Sequence, residues 1–172
     1  HNVYNILAAI SVSLYLDIPL SKAIRSLQSF YGASRRFDVY RDITIFGSKP
    51  VVIDDYGHHP TEVDATVRTI SKIYPKKDII MIFQPHRYSR TKAFWKSFVR
   101  VLKPLSKVIM LPTYSAGEKK NIYDSNFLYK KLKNKDKTLL QSVEGITRSL
   151  SQIDFDNSVL VLQGAGDIKD II

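Results

Sequence analysis

The chain has 172 residues, no cysteine, 44% apolar residues and a formal net charge of +10. This length and apolar content suit one domain with its own core plus a small appendage; the missing thiols exclude disulfides and thiolate metal sites, and no apolar run reaches the ~20 residues of a membrane span. The positive balance fits nucleic acid or an anionic substrate, but equally a solvated basic face, and the stretch from Lys119 to Lys137, with seven lysines, reads as surface.

In chain order, Val3, Ile6, Leu7, Ile10 and Leu14 recur at helical spacing and predict a helix over 2–16. Pro19 breaks it. Ser21 is expected to cap a second helix through Ile24 and Leu27 to about Phe30, and Gly32 ends it. Residues 37–46 read as extended chain, with a turn from Gly47 to Pro50. Val51-Val52-Ile53 predicts a strand. Pro60 and Thr61 open a helix with Val63, Val67, Ile70 and Ile73 on one face, closed by Pro75. Ile79 to Phe83 is the next strand. Thr91 is expected to precede a helix aligning Phe94, Phe98, Val101 and Leu105. A strand at 107–111, a helix near Ser125 to Lys133, a short strand near Thr138 to Leu140, a helix over about 143–151 and a strand over about 158–162 follow. A last helix begins after Gly166.

Four of these apolar runs end in polar, chemically capable clusters: Asp54-Asp55-Tyr56-Gly57-His58-His59-Pro60, Gln84-Pro85-His86-Arg87-Tyr88-Ser89-Arg90, Pro112-Thr113-Tyr114-Ser115-Ala116-Gly117-Glu118 and Gln163-Gly164-Ala165-Gly166. Continuous aliphatic runs of this length predict strands buried on both faces, and the intervening helices make them parallel. The chain is therefore expected to be α/β, Rossmann-like, with a mostly parallel sheet of about five to six strands flanked by helices and preceded by a helical hairpin. Ligands of such sheets bind outside the carboxyl ends of the strands, so all four clusters should face one crevice.

Each cluster admits more than one reading. In the first, a carboxylate can hold ribose hydroxyls; Asp54, His58 and His59 could instead serve a metal hydrolase; or the segment is a tight turn with His58 merely buried. In the second, two guanidiniums and an imidazole suit an anionic ligand, carboxylate or phosphate, unless the arginines pair with acids of their own domain. The fourth resembles a phosphate-cradling glycine loop, a weak signal alone. No G-x-x-x-x-G-K-[ST] occurs, so the chain has no Walker-type ATP grip, and no nucleophile elbow is present. A basic nucleic-acid-binding module would need exposed cations among stacking aromatics, whereas most aromatics fall on predicted core faces.

Together, His1-Asn2-Val3-Tyr4-Asn5, Arg35-Arg36-Phe37, Asp54 to Glu62, Phe83 to Thr91, Tyr114 to Glu118 and Gln163 to Gly166 closely resemble the Mur ligases. The segments lie in the family's order and span nearly the whole chain. The resemblance is strongest to the members that join L-alanine to UDP-N-acetylmuramate; those that add a recycled tripeptide carry a different motif in place of Gln84-Pro85-His86-Arg87. It covers only the carboxyl-terminal part of such enzymes. Residues 1–33 are then expected to be the helical tail of the central ATPase domain, and residues 34–172 the carboxyl-terminal, amino-acid-binding domain. The chain opens on His1 rather than Met, as a piece of a longer protein would, so the lack of a visible signal peptide carries little weight.

The family implies a bacterial, cytoplasmic, ATP-dependent ligation through an acyl phosphate in peptidoglycan precursor synthesis, with no nucleic acid or membrane partner. By resemblance, Asn2 and Asn5 lie on the nucleotide side, Arg36 reaches the phosphates and Asp55 accepts from the ribose. His59, Arg87 and Arg90 are candidates for the incoming amino acid, with Tyr56 and His86 beside them; Arg36 and His59 are the candidate catalytic groups. Arg90 is favoured over Arg87 for the amino-acid carboxylate, because Asp54 or Glu62 could hold Arg87. No metal ligand is assigned. Magnesium would be required, its main ligands lying in the absent UDP-binding and ATPase domains, and the chain alone is expected to be inactive.

Overall fold

The computed structural model describes residues 2–30, 32–142 and 145–168. They fall into two compact units, 1–34 and 35–172. The first holds helices α1 (Asn2–Tyr15) and α2 (Leu20–Gln28), which pack as a hairpin. Ser21 does not cap α2: Pro19 occupies the N-cap without a side-chain bond and Ser21 lies inside the first turn. Proline's fixed φ suits that entry, and its missing N–H is no loss at a helix start. The helix ends at Gln28 rather than near Phe30. The expected apolar face of α1 is present but has no core of its own: Ala23 is the only buried residue among those described in this unit.

The second unit is a six-stranded sheet made of β1 (Arg36–Tyr40), β2 (Val51–Asp55), β3 (Asp78–Phe83), β4 (Lys107–Met110), β5 (Lys137–Leu139) and β6 (Ser158–Gln163). The order is β1-β2-β6-β3-β4-β5. Only β1 is antiparallel; the other pairings are parallel. Residues 37–46 thus yield a short edge strand, with a bulge between Arg36 and Asp38, and an isolated bridge from Ile45 to Ser48.

The central strands send alternate side chains into two cores. Ile53, Met81, Phe83, Val108, Met110, Val159 and Val161 pack on one face. Val52, Ile80, Ile82, Ile109, Leu160 and Leu162 pack on the other. Burial on both faces explains the unbroken apolar runs; each such side chain contributes roughly 1.5–3 kcal/mol relative to exposure.

Helices α3 (Pro60–Ile73), α4 (Tyr88–Leu102) and α5 (Ser125–Lys131) cover the first face with Val63, Val67, Ile70, Phe98, Val101, Leu102 and Leu128. Ile73 lies outside that core, 52% exposed. The second face is covered by α6 (Ile146–Leu150) through Ile146 and Leu150, with Phe155 and Ile168. The helix expected over 143–151 is this shorter one; residues 143 and 144 lie outside the described residues, as does most of the last helix expected after Gly166. Thr91 does not precede α4. The helix starts at Tyr88, and Thr91 is buried inside it, its Oγ1 bonding back to the Arg87 carbonyl at 3.3 Å. Lys137 departs from the basic-surface expectation: its Nζ donates to the carbonyls of Tyr129 (2.9 Å) and Leu132 (2.6 Å) at the end of α5, where a cation suits the helix dipole.

Among the described residues, no helix is long and apolar enough to cross a membrane.

Candidate functional site

The carboxyl ends of β2, β6, β3 and β4 lie side by side on one edge of the sheet. The loops after β2 and β3 run to α3 and α4 on one face. The loop after β6 carries Ile168 into the core of the other face. The chain therefore parts around the end of β6, the kind of place where open α/β sheets hold ligands.

On the β2–β6 side the loops are locked by their own hydrogen bonds. Asp55 Oδ1 accepts from the Gly57 amide (2.7 Å) and from Gln163 Nε2 (2.7 Å). The same Nε2 donates to the Gly57 carbonyl (2.7 Å). A Cβ on Gly57 would lie 2.5 Å from Asp55 Oδ1, so a larger residue there would have to displace the anchored carboxylate. Asp55 Oδ2 has no hydrogen bond among the described residues. One carboxylate oxygen thus fixes the side chain and the other is left to accept. Arg36 stands opposite Asp55 in the β1–β2 register and is exposed.

Arg35, which the sequence reading passed over in favour of Arg36, is the organiser of this side. Its Nε reaches both oxygens of Asp54 (3.1 and 3.0 Å) and its Nη2 donates to the Gly164 carbonyl (2.7 Å). The pair is well shielded, its side chains 15% and 9% exposed. The guanidinium also lies 5.6 Å from the centre of the Tyr56 ring. The start of β1, the end of β2 and the glycine loop of β6 are thereby tied to one cation. Arg35 has φ +59, which its amide bond to Asp38 Oδ2 (2.7 Å) supports.

The third loop is Gln84 to Arg87. Gln84 is buried and binds the β6 loop: its Oε1 accepts from the Ile168 amide (3.2 Å) and its Nε2 donates to Asp167 Oδ1. A Cβ on Gly166 would collide with Gln84 Oε1 and with the Tyr114 ring. The glycines of the fourth cluster are therefore explained by packing between loops. A parallel bridge joins His86 to Tyr114, through the Tyr114 amide to the Pro85 carbonyl and the Arg87 amide to the Tyr114 carbonyl, both 2.9 Å.

Aromatic rings line the crevice. Tyr56 meets His58 edge-on at 5.5 Å, His58 meets His86 at 5.2 Å, and His86 stacks on Tyr114 at 5.4 Å. Arg90 Nη1 donates to His86 Nδ1 (3.0 Å) and to the His86 carbonyl (2.9 Å). A guanidinium can only donate, so Nδ1 is the acceptor and the ring proton sits on Nε2. Burial, then the charges of His58, Arg90 and Arg87, push the His86 pKa down to about 4. His86 is a neutral N–H donor at physiological pH.

His59 is turned away from these rings. It is the N-cap of α3: its Nδ1 accepts from the Thr61 amide (3.3 Å), and Glu62 Oε2 accepts from the amides of His58 and His59, both 2.8 Å. This capping box leaves Nε2 as the edge of His59 open to a ligand. The ring rests against Phe94 at 4.7 Å.

Neither Asp54 nor Glu62 holds Arg87, contrary to the expectation: Asp54 is taken by Arg35 and Glu62 by backbone amides. Arg87 is exposed, and its side chain makes no hydrogen bond or ion pair among the described residues. It sits at the N-cap of α4 with φ +69, costly for a non-glycine residue. Asn2 and Asn5 belong to the other unit, one helical turn apart on α1, with Asn5 exposed. Asp54, His58 and His59 make separate contacts, and among the described residues no three His, Cys, Asp or Glu side chains are grouped to hold a metal. The metal-hydrolase alternative has no geometric support.

Residues 35–166 match the family model "Mur ligase, glutamate ligase domain". The UDP-N-acetylmuramate–L-alanine ligase of Hydrogenovibrio crunogenus is 37% identical over 99% of this chain, and that of Psychrobacter arcticus is likewise 37% identical over 99%. The chain spans only 38% and 36% of their lengths, respectively. A crystal structure of the UDP-N-acetylmuramate–alanine ligase of Thermotoga maritima superposes over 99% of this chain and 36% of that one, with TM-score 0.72 and 26% identity. A murein peptide ligase structure from Psychrobacter arcticus gives 0.71 at 20% identity, a likeness of fold. The chain therefore belongs to the Mur ligase family and carries that family's carboxyl-terminal domain.

Proposed function

We propose that the chain is the amino-acid-binding part of an ATP-dependent ligase that joins L-alanine to UDP-N-acetylmuramate in peptidoglycan precursor synthesis. The observation that carries this reading is the division of one crevice. An anchored carboxylate with a spare oxygen stands on the β2–β6 side, and a guanidinium without an internal partner stands on the β3–β4 side. The first suits hydroxyl donors, the second an anionic group. The 37% identity to two enzymes bearing the L-alanine name supports this substrate over a tripeptide.

In the reaction, the muramate carboxylate takes the γ-phosphoryl of ATP to form an acyl phosphate. The amine of L-alanine attacks the acyl carbon, and phosphate leaves from the tetrahedral intermediate. Asp55 accepts from a ribose hydroxyl through Oδ2. Arg36 faces the phosphates, where spread negative charge suits a guanidinium. Arg87 takes the alanine carboxylate, and Arg90, committed to His86 through Nη1, assists with its remaining N–H groups. His86 and His59 each offer an Nε2–H, and Tyr56 supports the wall. Asn2 and Asn5 serve the nucleotide from the helical tail of the ATPase domain. Magnesium is held mainly by groups of the absent domains. The bare apolar hairpin supports this division: α1 exposes Val3, Leu7, Val12 and Leu14, and α2 exposes Leu20 and Ile24, as helices of a larger domain would when taken alone.

The test is to assay phosphate release and product by the full-length enzyme with UDP-N-acetylmuramate, ATP and magnesium, offering L-alanine or an L-alanyl tripeptide. Turnover with L-alanine is expected. Turnover with the tripeptide alone would reassign the chain to the recycling ligases. The 172-residue chain by itself should release no phosphate above a blank.

A further inference from the structure

Helix α4 begins without the usual aids. Its N-cap is Arg87, which gives no side-chain cap, and its first turn has no acidic residue. Positive charge accumulates there instead, from Arg87, Arg90, Lys92 and the helix dipole. The missing acceptor comes from another loop. Glu118 Oε2 accepts from the Ser89 amide (3.0 Å) and Oε1 accepts from the Ser89 hydroxyl. A turn brings it there: Ala116 and Gly117 have φ +48 and +84, and the Glu118 amide bonds to the Ser115 carbonyl at 3.0 Å.

We infer that Glu118 is a positioning residue for the amino-acid subsite, capping α4 from the loop after β4 and so fixing Arg87, Arg90 and His86. The inference rests on the reading that Arg87 and Arg90 receive the amino-acid carboxylate. Two further observations agree. The Glu118 carboxyl is held below its ordinary range, first by the Ser89 hydroxyl and amide and to a lesser degree by Arg87. And because both oxygens of Glu118 are engaged by Ser89, the capped amide is closed to an incoming carboxylate, which is left with the guanidiniums. Glu118 touches no reacting atom in this account. Its effect passes through α4.

The test compares E118A, E118Q and E118D with R87A and R90A in the full-length enzyme. Steady-state KM is measured for L-alanine and for ATP, and hydrogen exchange is followed at the Ser89 amide. E118A is expected to raise the alanine KM about tenfold, as loss of a charged hydrogen bond does, to leave the ATP KM within about twofold, and to speed Ser89 exchange. E118Q, which keeps an acceptor oxygen but not the charge, should fall between E118A and wild type, and it carries the test if E118A does not fold. If R87A or R90A raises the alanine KM while E118A and E118Q leave it unchanged, the role of Glu118 is overturned and the subsite stands. A raised KM with unchanged Ser89 exchange also overturns it. If R87A and R90A both leave the alanine KM unchanged, the subsite reading itself has failed.

Discussion

The helical hairpin and the sheet unit differ in where they put their apolar residues. The hairpin carries apolar residues at helical spacing, as α3 and α4 do, yet Leu7 is 53% exposed whereas Phe83 and Ile53 are fully buried. Periodicity reports which face a helix will bury, not what it is buried against. The sheet unit supplies its own answer through α3 to α6. The hairpin does not: among the described residues most of its apolar side chains stay exposed, in line with the proposal that it is the tail of a larger domain.

Core truncation should expose this contrast most strongly. Phe83→Ala should destabilise the chain by about 3–5 kcal/mol, whereas Leu7→Ala should change it by less than about 0.5 kcal/mol, as at an ordinary surface position. Urea titration of both variants checks the pair. Equal losses would mean that the hairpin has a core of its own.

The next effect concerns the Arg35–Asp54 pair. Arg35→Ala should cost about 3 kcal/mol, because it leaves a shielded carboxylate without its cation. Adding Asp54→Asn should recover part of that loss. No recovery in the double variant would show that Arg35 acts mainly through Gly164 or Tyr56.

The smallest effect is one of pH. The His86 pKa is pushed down to about 4 from an ordinary 6.5, so between these values the unfolded chain binds more protons than the folded one. His86 therefore makes stability rise with pH across that window and fall as pH drops through it. The groups facing His86 are His58, Arg87, Arg90 and Glu118. His86→Gln should flatten this part of the stability profile; an unchanged slope would assign it to another group.

Much of the architecture was legible because two-sided burial forces uninterrupted apolar runs, as in Ile79 to Phe83. The crevice followed from the polar residues at their ends. Helix starts were less legible. Thr91 has the chemistry of a cap, but the cap of α4 is Glu118, 29 residues from Ser89, and no local pattern announces a cap from another loop. Arg35 was missed for a similar reason: adjacent arginines look alike until the bulge after Arg36 and the position of Asp54 separate them. That Asp54 or Glu62 could hold Arg87 is a fair reading of the sequence, and only the contacts of those acids, with Arg35 and with backbone amides, show that neither does. For the fourth cluster, packing against Gln84 and Tyr114 already disfavours a side chain at Gly166.

The contrast between closed and open regions recurs inside the crevice, where Asp55 is anchored by one oxygen and Arg87 has no internal partner. The most direct measurement is the KM for ATP and for L-alanine in full-length Asp55→Ala and Arg87→Ala. Asp55→Ala should raise the ATP KM at least about tenfold and leave that for L-alanine nearly unchanged, and Arg87→Ala should do the reverse, each losing ~1.4 kcal/mol or more of binding. Both variants weakening the same substrate, or neither weakening any, would contradict the division of the crevice.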